Sequence, residues 1–471
     1  MSITAHPSPD RLHGLDALRG GALLLGVVLH ASLSFFPQQM WIVADDSRSI
    51  GAAWLFFAIH LFRMTAFFLI AGLFARMMLG RRGAWGFAKD RASRIVGPLL
   101  AFWFPVMAGI VTALVWNAHL SGLVVPGAPP PPPPTYDWTN FPLTHLWFLY
   151  VLALFCAAAL ILRAPFAALD RGGGWGRTVD RLTGALVGWW TPALLAVPLA
   201  LAMWLDPEWI AFFAVPTPDE GVVPDTAALV GFGLAFGLGF LLDRRRDLLD
   251  RIAAWSPLFL VVAVAAGVWA WSLAGGPSIV PMAEPTADKA LAAGVVALAV
   301  YASAFAAMGL CLRFLSGVSA VRRYLAVAVA AGVAAWMLTG GPNLIPMAEP
   351  TADKALLAGV VALAVYASAL AAMGLCLRFL SGFSPVRRYL ADASYWVYIL
   401  HLPLVMLAQV WVQDWAGPWW LKLAGVSAGV LAVCLVSYEL TIRHSFMGRW
   451  LNGRRIPWRR RTAEAVPVPA E

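Results

Sequence analysis

Residues 17–36 read ALRGGALLLGVVLHASLSFF. Twenty residues of this character make a helix long enough to cross a bilayer. Arg19 and His30 stand near its two ends, eleven residues apart. Eleven residues are three helical turns plus about 20°, so both side chains share one face, roughly 16 Å apart along the axis. A guanidinium and an imidazole are costly inside a membrane helix, and such groups mark functional sites by default.

The whole chain has the same character. Of 471 residues, 61% are hydrophobic and 13% charged, with a mean hydropathy of +0.74. Soluble domains carry about twice that charge. Twelve apolar spans are expected, near 18–37, 54–76, 95–117, 143–162, 184–205, 226–242, 256–274, 288–312, 324–339, 355–377, 392–412 and 420–442. The first ten residues are polar and lack a small-residue cleavage site, so the first span is expected to stay in the bundle. Of the 34 basic residues, 29 fall in the N-terminus, alternate loops and the C-terminal tail. The opposite loops hold Arg48, Lys289, Lys354 and Lys422, and Arg63 lies within a span. This asymmetry predicts an all-α polytopic bundle with both termini in the cytoplasm. The net charge of +9 follows from topology and requires no nucleic-acid partner. Cys156, Cys311, Cys376 and Cys434 all fall in or beside apolar spans and read as small core residues, and no metal-ligand spacing appears.

Residues 261–325 and 326–390 form a direct tandem repeat, and 44 of 52 positions agree between 274–325 and 339–390. PMAEPTADKAL and AAMGLCLRFLSG occur in both copies. Each copy holds two spans, so an insertion of one copy leaves every later segment in its original orientation. One pair is therefore expected to be supernumerary and to lie at the bundle edge. The resulting organisation is a cytoplasmic segment 1–17, a transmembrane domain 18–442 and a basic cytoplasmic tail 443–471. Six consecutive prolines, Pro129–Pro134, read as a stiff external spacer.

Helix directions place a second pattern. His30 in span 1, His60 and Arg63 in span 2, His145 at the start of span 4 and His401 in span 11 are all expected in the outer half. Each could singly be a buried structural residue. Together they predict a shared, water-accessible cavity. At the inner face, Arg91 and Arg94 are three residues apart and can point at one anion, although positive-inside topology also explains them. Glu439 and Arg443 are spaced for an i,i+4 structural pair.

These motifs resemble the acyltransferase-3 superfamily of integral membrane acyltransferases. The Arg19–His30 spacing and RLHGLDALRG (11–20) are similar to its first-helix signature, including Asp16 and Arg19. Arg91-Ala-Ser-Arg94 with Pro98 resembles its paired-arginine motif. FRMTAFFLIAG (62–72), HLWFLYVL (145–152) and SYWVYILHLP (394–403) look like the periplasmic-glucan succinyltransferase branch. The resemblance implies a core of about ten helices, so the duplicated pair is the departure from it. It also implies a cytoplasmic acyl-CoA co-substrate, no permanently bound cofactor, and a sugar hydroxyl as acceptor at the outer face of a bacterial inner membrane. His30 would be the catalytic base, and Arg19, Arg91 and Arg94 would serve the donor. His60, Arg63, His145, Trp147, Tyr398 and His401 would line the substrate cavity, with Arg63 available to pair with a succinyl carboxylate.

The leading expectation is thus an O-acyltransferase that moves a succinyl or acetyl group to an extracytoplasmic glycan. Membrane lipid, acyl-CoA and the glycan are the expected partners. A lipopolysaccharide or other surface polysaccharide acetylated from acetyl-CoA is the second enzymatic reading. A proton-coupled transporter of a glycan or lipid precursor, without covalent chemistry, is the alternative from another class, and a membrane sensor or scaffold is a third.

Overall fold

The computed structural model describes residues 9–123, 135–170, 173–314 and 385–452. Twelve α-helices carry these residues. They are α1 (Pro9–Ser32), α2 (Ile50–Arg91), α3 (Gly97–Leu120), α4 (Trp147–Leu169), α5 (Gly174–Leu186) and α6 (Thr191–Leu205). The rest are α7 (Thr226–Leu242), α8 (Leu248–Leu273), α9 (Ala287–Phe314), α10 (Pro385–Val412), α11 (Trp419–Ser437) and α12 (Phe446–Asn452). Among the described residues there is no strand, only an isolated bridge between Pro142 and Glu220. Among the described residues, seven helical stretches are long and apolar enough to cross a membrane, or eight if the bent α5–α6 pair counts as one span. The expected spans at 324–339 and 355–377, the proline run, Cys376, and most of the second repeat copy lie outside the described residues.

One of the seven stretches, Ile50–Leu120, contains a reversal. Gly83 leaves helical geometry at φ 67°, ψ 178°, and a π-turn occupies Ala92–Val96. Only glycine reaches the positive φ without a Cβ penalty. The chain then heads back, so that Asn117 near the end of α3 donates to the carbonyl of Ile42, ahead of α2, at 3.2 Å.

The fifth expected span differs from its reading. Instead of one helix over 184–205, α5 and α6 meet at 97°. The break falls at Gly188, Trp189 and Trp190, where the Thr191 hydroxyl accepts from Gly188 N–H at 2.8 Å and Pro192 stands in the first turn of the next helix. Only α6 is apolar throughout, and α5 is amphipathic.

Packing relies on small residues where helices cross, as is usual when lipid competes for apolar contact. Gly72 of α2 lies against the backbone of Phe236 in α7, and Gly239 of α7 lies against Leu69, so neither position has room for a Cβ. Helix α9 is buried along almost its whole apolar length, against α8, α6 and α2. The first repeat copy supplies part of α8 and all of α9, and the alanine-rich faces of α9 let three neighbours approach, so α9 belongs to the core. The second copy, to which the expectation of an edge pair then applies, lies mostly outside the described residues. At the end of the bundle where α1 finishes, Lys422 Nζ pairs with Asp45 at 2.7 Å, with both side chains buried. The pair ties the α1–α2 connection to α11. The expected Glu439–Arg443 pair is present at 2.8 Å.

Candidate functional site

A cavity of about 430 Å³ opens among α1, α2, α4, α10 and the segment between α6 and α7. His30, His60, Arg63, His145, Trp147, Tyr398 and His401 all line it. Seven side chains proposed from four separate stretches of sequence therefore meet in one volume. Their helices bring them there by position: His30 is in the last turn of α1, His60 and Arg63 are one turn apart on α2, and Tyr398 and His401 are one turn apart on α10.

The rings form a chain. The His30 and His401 centroids are 5.3 Å apart, and those of His401 and His145 are 5.0 Å apart. Three rings are fixed by backbone carbonyls. His145 Nε2 bonds to Ile399 O at 3.1 Å, His401 Nδ1 to Tyr398 O at 2.7 Å, and His60 Nε2 lies 3.5 Å from Val215 O. A carbonyl only accepts, so each of these nitrogens carries the hydrogen. The second nitrogen of each ring, Nδ1 of His145 and His60 and Nε2 of His401, is buried and has no hydrogen-bond partner. His30 Nδ1 is likewise without one. Buried polar atoms are nearly always paired, so four such nitrogens in one cavity mark a place built for a polar ligand.

Arg63 reaches the same point. Among the described residues it has no carboxylate partner, and its Nε makes no hydrogen bond. Its Nη1 occupies the space a side chain on Gly26 would need. An unpaired guanidinium in an enclosed site favours an anion or a developing oxyanion there.

The backbone is strained at two places beside the cavity. Thr144 and Ala214 are the non-glycine residues with positive φ among the described residues, at 51° and 50°. For β-branched Thr144 this is costly. It turns His145 inward and is held by the Thr144 N–H bond to Asp219 O at 3.0 Å. Ala214 precedes the carbonyl facing His60 and accepts a bond from Trp209 Nε1 at 2.8 Å.

Sequence reasoning missed several parts of the site. Gln409 donates to His30 O at 2.9 Å and accepts from Trp41 Nε1 at 2.9 Å, locking α10 to the end of α1. Its signal was a lone amide in the apolar stretch VMLAQVWV. Asp206, Glu208, Asp219 and Asp225 also line the cavity, giving it an acidic mouth. Enclosure in the mouth, with Glu220 and Asp225 near, pushes the Asp219 carboxyl up to about 6.

The arginines of the paired motif have an anionic partner within the protein. Arg91 and Arg94 do converge on one anion, but that anion is the buried carboxylate of Asp90, at 2.6 and 3.4 Å, which also takes Arg82 at 2.7 Å. Three guanidiniums around one carboxylate leave a net positive cluster. Arg91 Nη2 also reaches Met78 Sδ at 2.8 Å, and Arg19 lies over the Phe74 ring one turn earlier on α2, 5.6 Å from its centroid. Arg19 and Arg91 thus flank one stripe of α2, near the opposite end of α1 from His30. No group of three metal-ligating side chains suited to a metal ion occurs among the described residues.

The sequence profile of the acyltransferase domain family matches residues 12–325 and 316–439. The two stretches overlap near the junction of the repeat copies at 325/326. Glucans biosynthesis protein C of Escherichia coli (strain K12) is 29% identical over 151 residues, covering 32% of this chain and 38% of that protein. The protein of the same name from Shigella dysenteriae serotype 1 (strain Sd197) matches to the same extent. The matched region thus spans about two fifths of these relatives. No solved structure matches the chain.

Proposed function

The chain belongs to the acyltransferase-3 family, and we propose that it moves a succinyl or acetyl group from cytoplasmic acyl-CoA to a hydroxyl of an extracytoplasmic glycan. That it is a membrane acyltransferase follows from the family and the apolar helices. The finer reading places the protein in a bacterial inner membrane with both termini cytoplasmic and the arginine-rich end facing the donor. Arg19, Arg91 and Arg94 then hold the donor's phosphates. The acyl thioester reaches the histidine cavity, and the glycan comes to its acidic mouth, whose carboxylates accept bonds from sugar hydroxyls.

In this reading the unprotonated nitrogen of His30 takes the acceptor's hydroxyl proton as its oxygen attacks the thioester carbonyl. Arg63 stabilises the oxyanion, or the free carboxylate of a succinyl group. Collapse of the tetrahedral intermediate breaks the C–S bond, and the proton leaves with the coenzyme A thiol. His401, oriented through Nδ1, presents its bare Nε2 to the same space and helps position His30. Enclosure limits hydrolysis of the thioester.

The observation that carries the proposal is the meeting of four buried histidine nitrogens without partners and an unpaired arginine in one cavity. The test uses sealed inverted vesicles containing the protein, with labelled acyl-CoA outside and glucan inside. Label on the internal glucan supports it. Glucan movement without label would instead identify the transporter. Comparing succinyl- and acetyl-CoA in Arg63→Ala separates the two roles of that residue, since equal loss with both donors removes the succinate role.

A further inference from the structure

A second cavity of about 690 Å³ lies between α4, α5, α6 and α7, sharing no lining residue with the histidine cavity. Its walls are apolar: Phe155 of α4, Leu194 and Leu195 of α6, and Phe236 and Phe240 of α7. Gly237 also faces it, and a Cβ there would meet nothing within 4 Å, so the floor of the slot is open.

Three arginines line the same volume: Arg76 from α2, Arg163 from α4 and Arg244 after α7. Arg244 is paired with Asp180 at 2.9 Å. Asp170, the acidic lining residue, spends its carboxylate on the first amides of α5, Trp175 N at 3.0 Å and Gly176 N at 2.9 Å. Among the described residues no carboxylate comes within ion-pair distance of Arg76 or Arg163. Arg76 rests over the Phe240 ring at 5.3 Å. Two cations therefore remain for a ligand at the edge of an apolar slot.

Helix α5 closes the picture. Trp175, Val179 and Leu186 fall on one face and line the cavity, while Arg177, Asp180 and Arg181 lie on the other side. Its 97° turn from α6 suits a helix lying in the membrane interface.

We propose that this cavity binds one anionic phospholipid from the leaflet at the arginine-rich end. The phosphate sits at Arg76 and Arg163, and one acyl chain enters the slot past Gly237. Charge complementarity at one end and an apolar slot from there inward match an amphiphile of this kind. A soluble phosphate would leave the slot empty.

Native mass spectrometry of the full chain in detergent, titrated with dioleoyl phosphatidylglycerol or dioleoyl phosphatidylcholine, tests this. One phosphatidylglycerol is expected to be retained in preference to phosphatidylcholine. Arg76→Gln and Arg163→Gln are each expected to weaken it roughly fivefold. Gly237→Leu fills the slot and is expected to abolish retention with every arginine in place. Thermal unfolding without added lipid checks that each variant is folded, and Arg163 is exposed enough for its variant to serve if another is not. Equal retention of the two lipids by the wild type, or full retention by folded Gly237→Leu, overturns the proposal. Displacement of the lipid by acyl-CoA at equimolar concentration would assign the cavity to the donor and also overturn it.

Discussion

A Cβ on Gly26 would stand 2.5 Å from Arg63 Nη1, with His401 Nε2 3.5 Å away. The absence of a side chain on α1 is thus what lets the α2 guanidinium lie beside the α10 histidine. Gly26→Ala should push Arg63 out of place. Acyl transfer is expected to fall by about 10²-fold, the scale of losing one charge-stabilising donor. Alanine is also the better helix former, by about 1 kcal/mol, so a detergent melting curve should show little loss of stability. A melting temperature that collapses with activity would mean Gly26 serves packing alone.

Gln409 links three segments. Gln409→Leu removes its bonds to Trp41, His30 O and Ala31 O, leaving buried polar groups unsatisfied at about 1–3 kcal/mol each. The end of α1 should loosen, lowering the maximal rate more than it raises the donor's KM. Steady-state kinetics of the variant check this split.

The Asp45–Lys422 pair is buried on both sides. Asp45→Ala leaves a lone ammonium and is expected to cost about 3–5 kcal/mol. The double variant Asp45→Ala, Lys422→Met should regain most of that. Thermal unfolding of the two variants measures the difference, and equal losses would count against a coupled pair.

How far the sequence carried the reading differs from residue to residue. Helical spacing and alternating charge were enough to bring His30, His60, Arg63, His145 and His401 to one end of the bundle, because both patterns are local. Tyr398 and Trp147 came with the motifs that hold their neighbours. Asp219 was not visible, since its place depends on how a loop folds over the cavity and pairs with Thr144. Asp90 was read over because a carboxylate among arginines looks like ordinary surface charge until burial is known. The α5–α6 bend was hidden by the apolar run that continues through Gly188, where hydropathy alone cannot register a change of direction.

Asp219 gives the cavity mouth a pH dependence. Its folded-state pKa of about 6 lies above the usual 3.8, so the folded protein holds this proton more tightly than the unfolded chain does. Its contribution to stability is therefore greatest at low pH and is lost as pH rises from about 4 through about 6. If the ionised carboxylate accepts a sugar hydroxyl, the acceptor KM should rise as pH falls through 6. Asp219→Asn should flatten that profile between pH 5 and 7. An unchanged profile in the variant would place the titration elsewhere.

The central claim is that His30 removes the acceptor proton. The most direct measurement is single-turnover transfer of labelled acyl group to glucan by His30→Ala in sealed vesicles, with donor binding measured in parallel. Transfer is expected to fall by about 10²–10⁴-fold, with the donor still bound. Transfer at the wild-type rate by His30→Ala would contradict the claim.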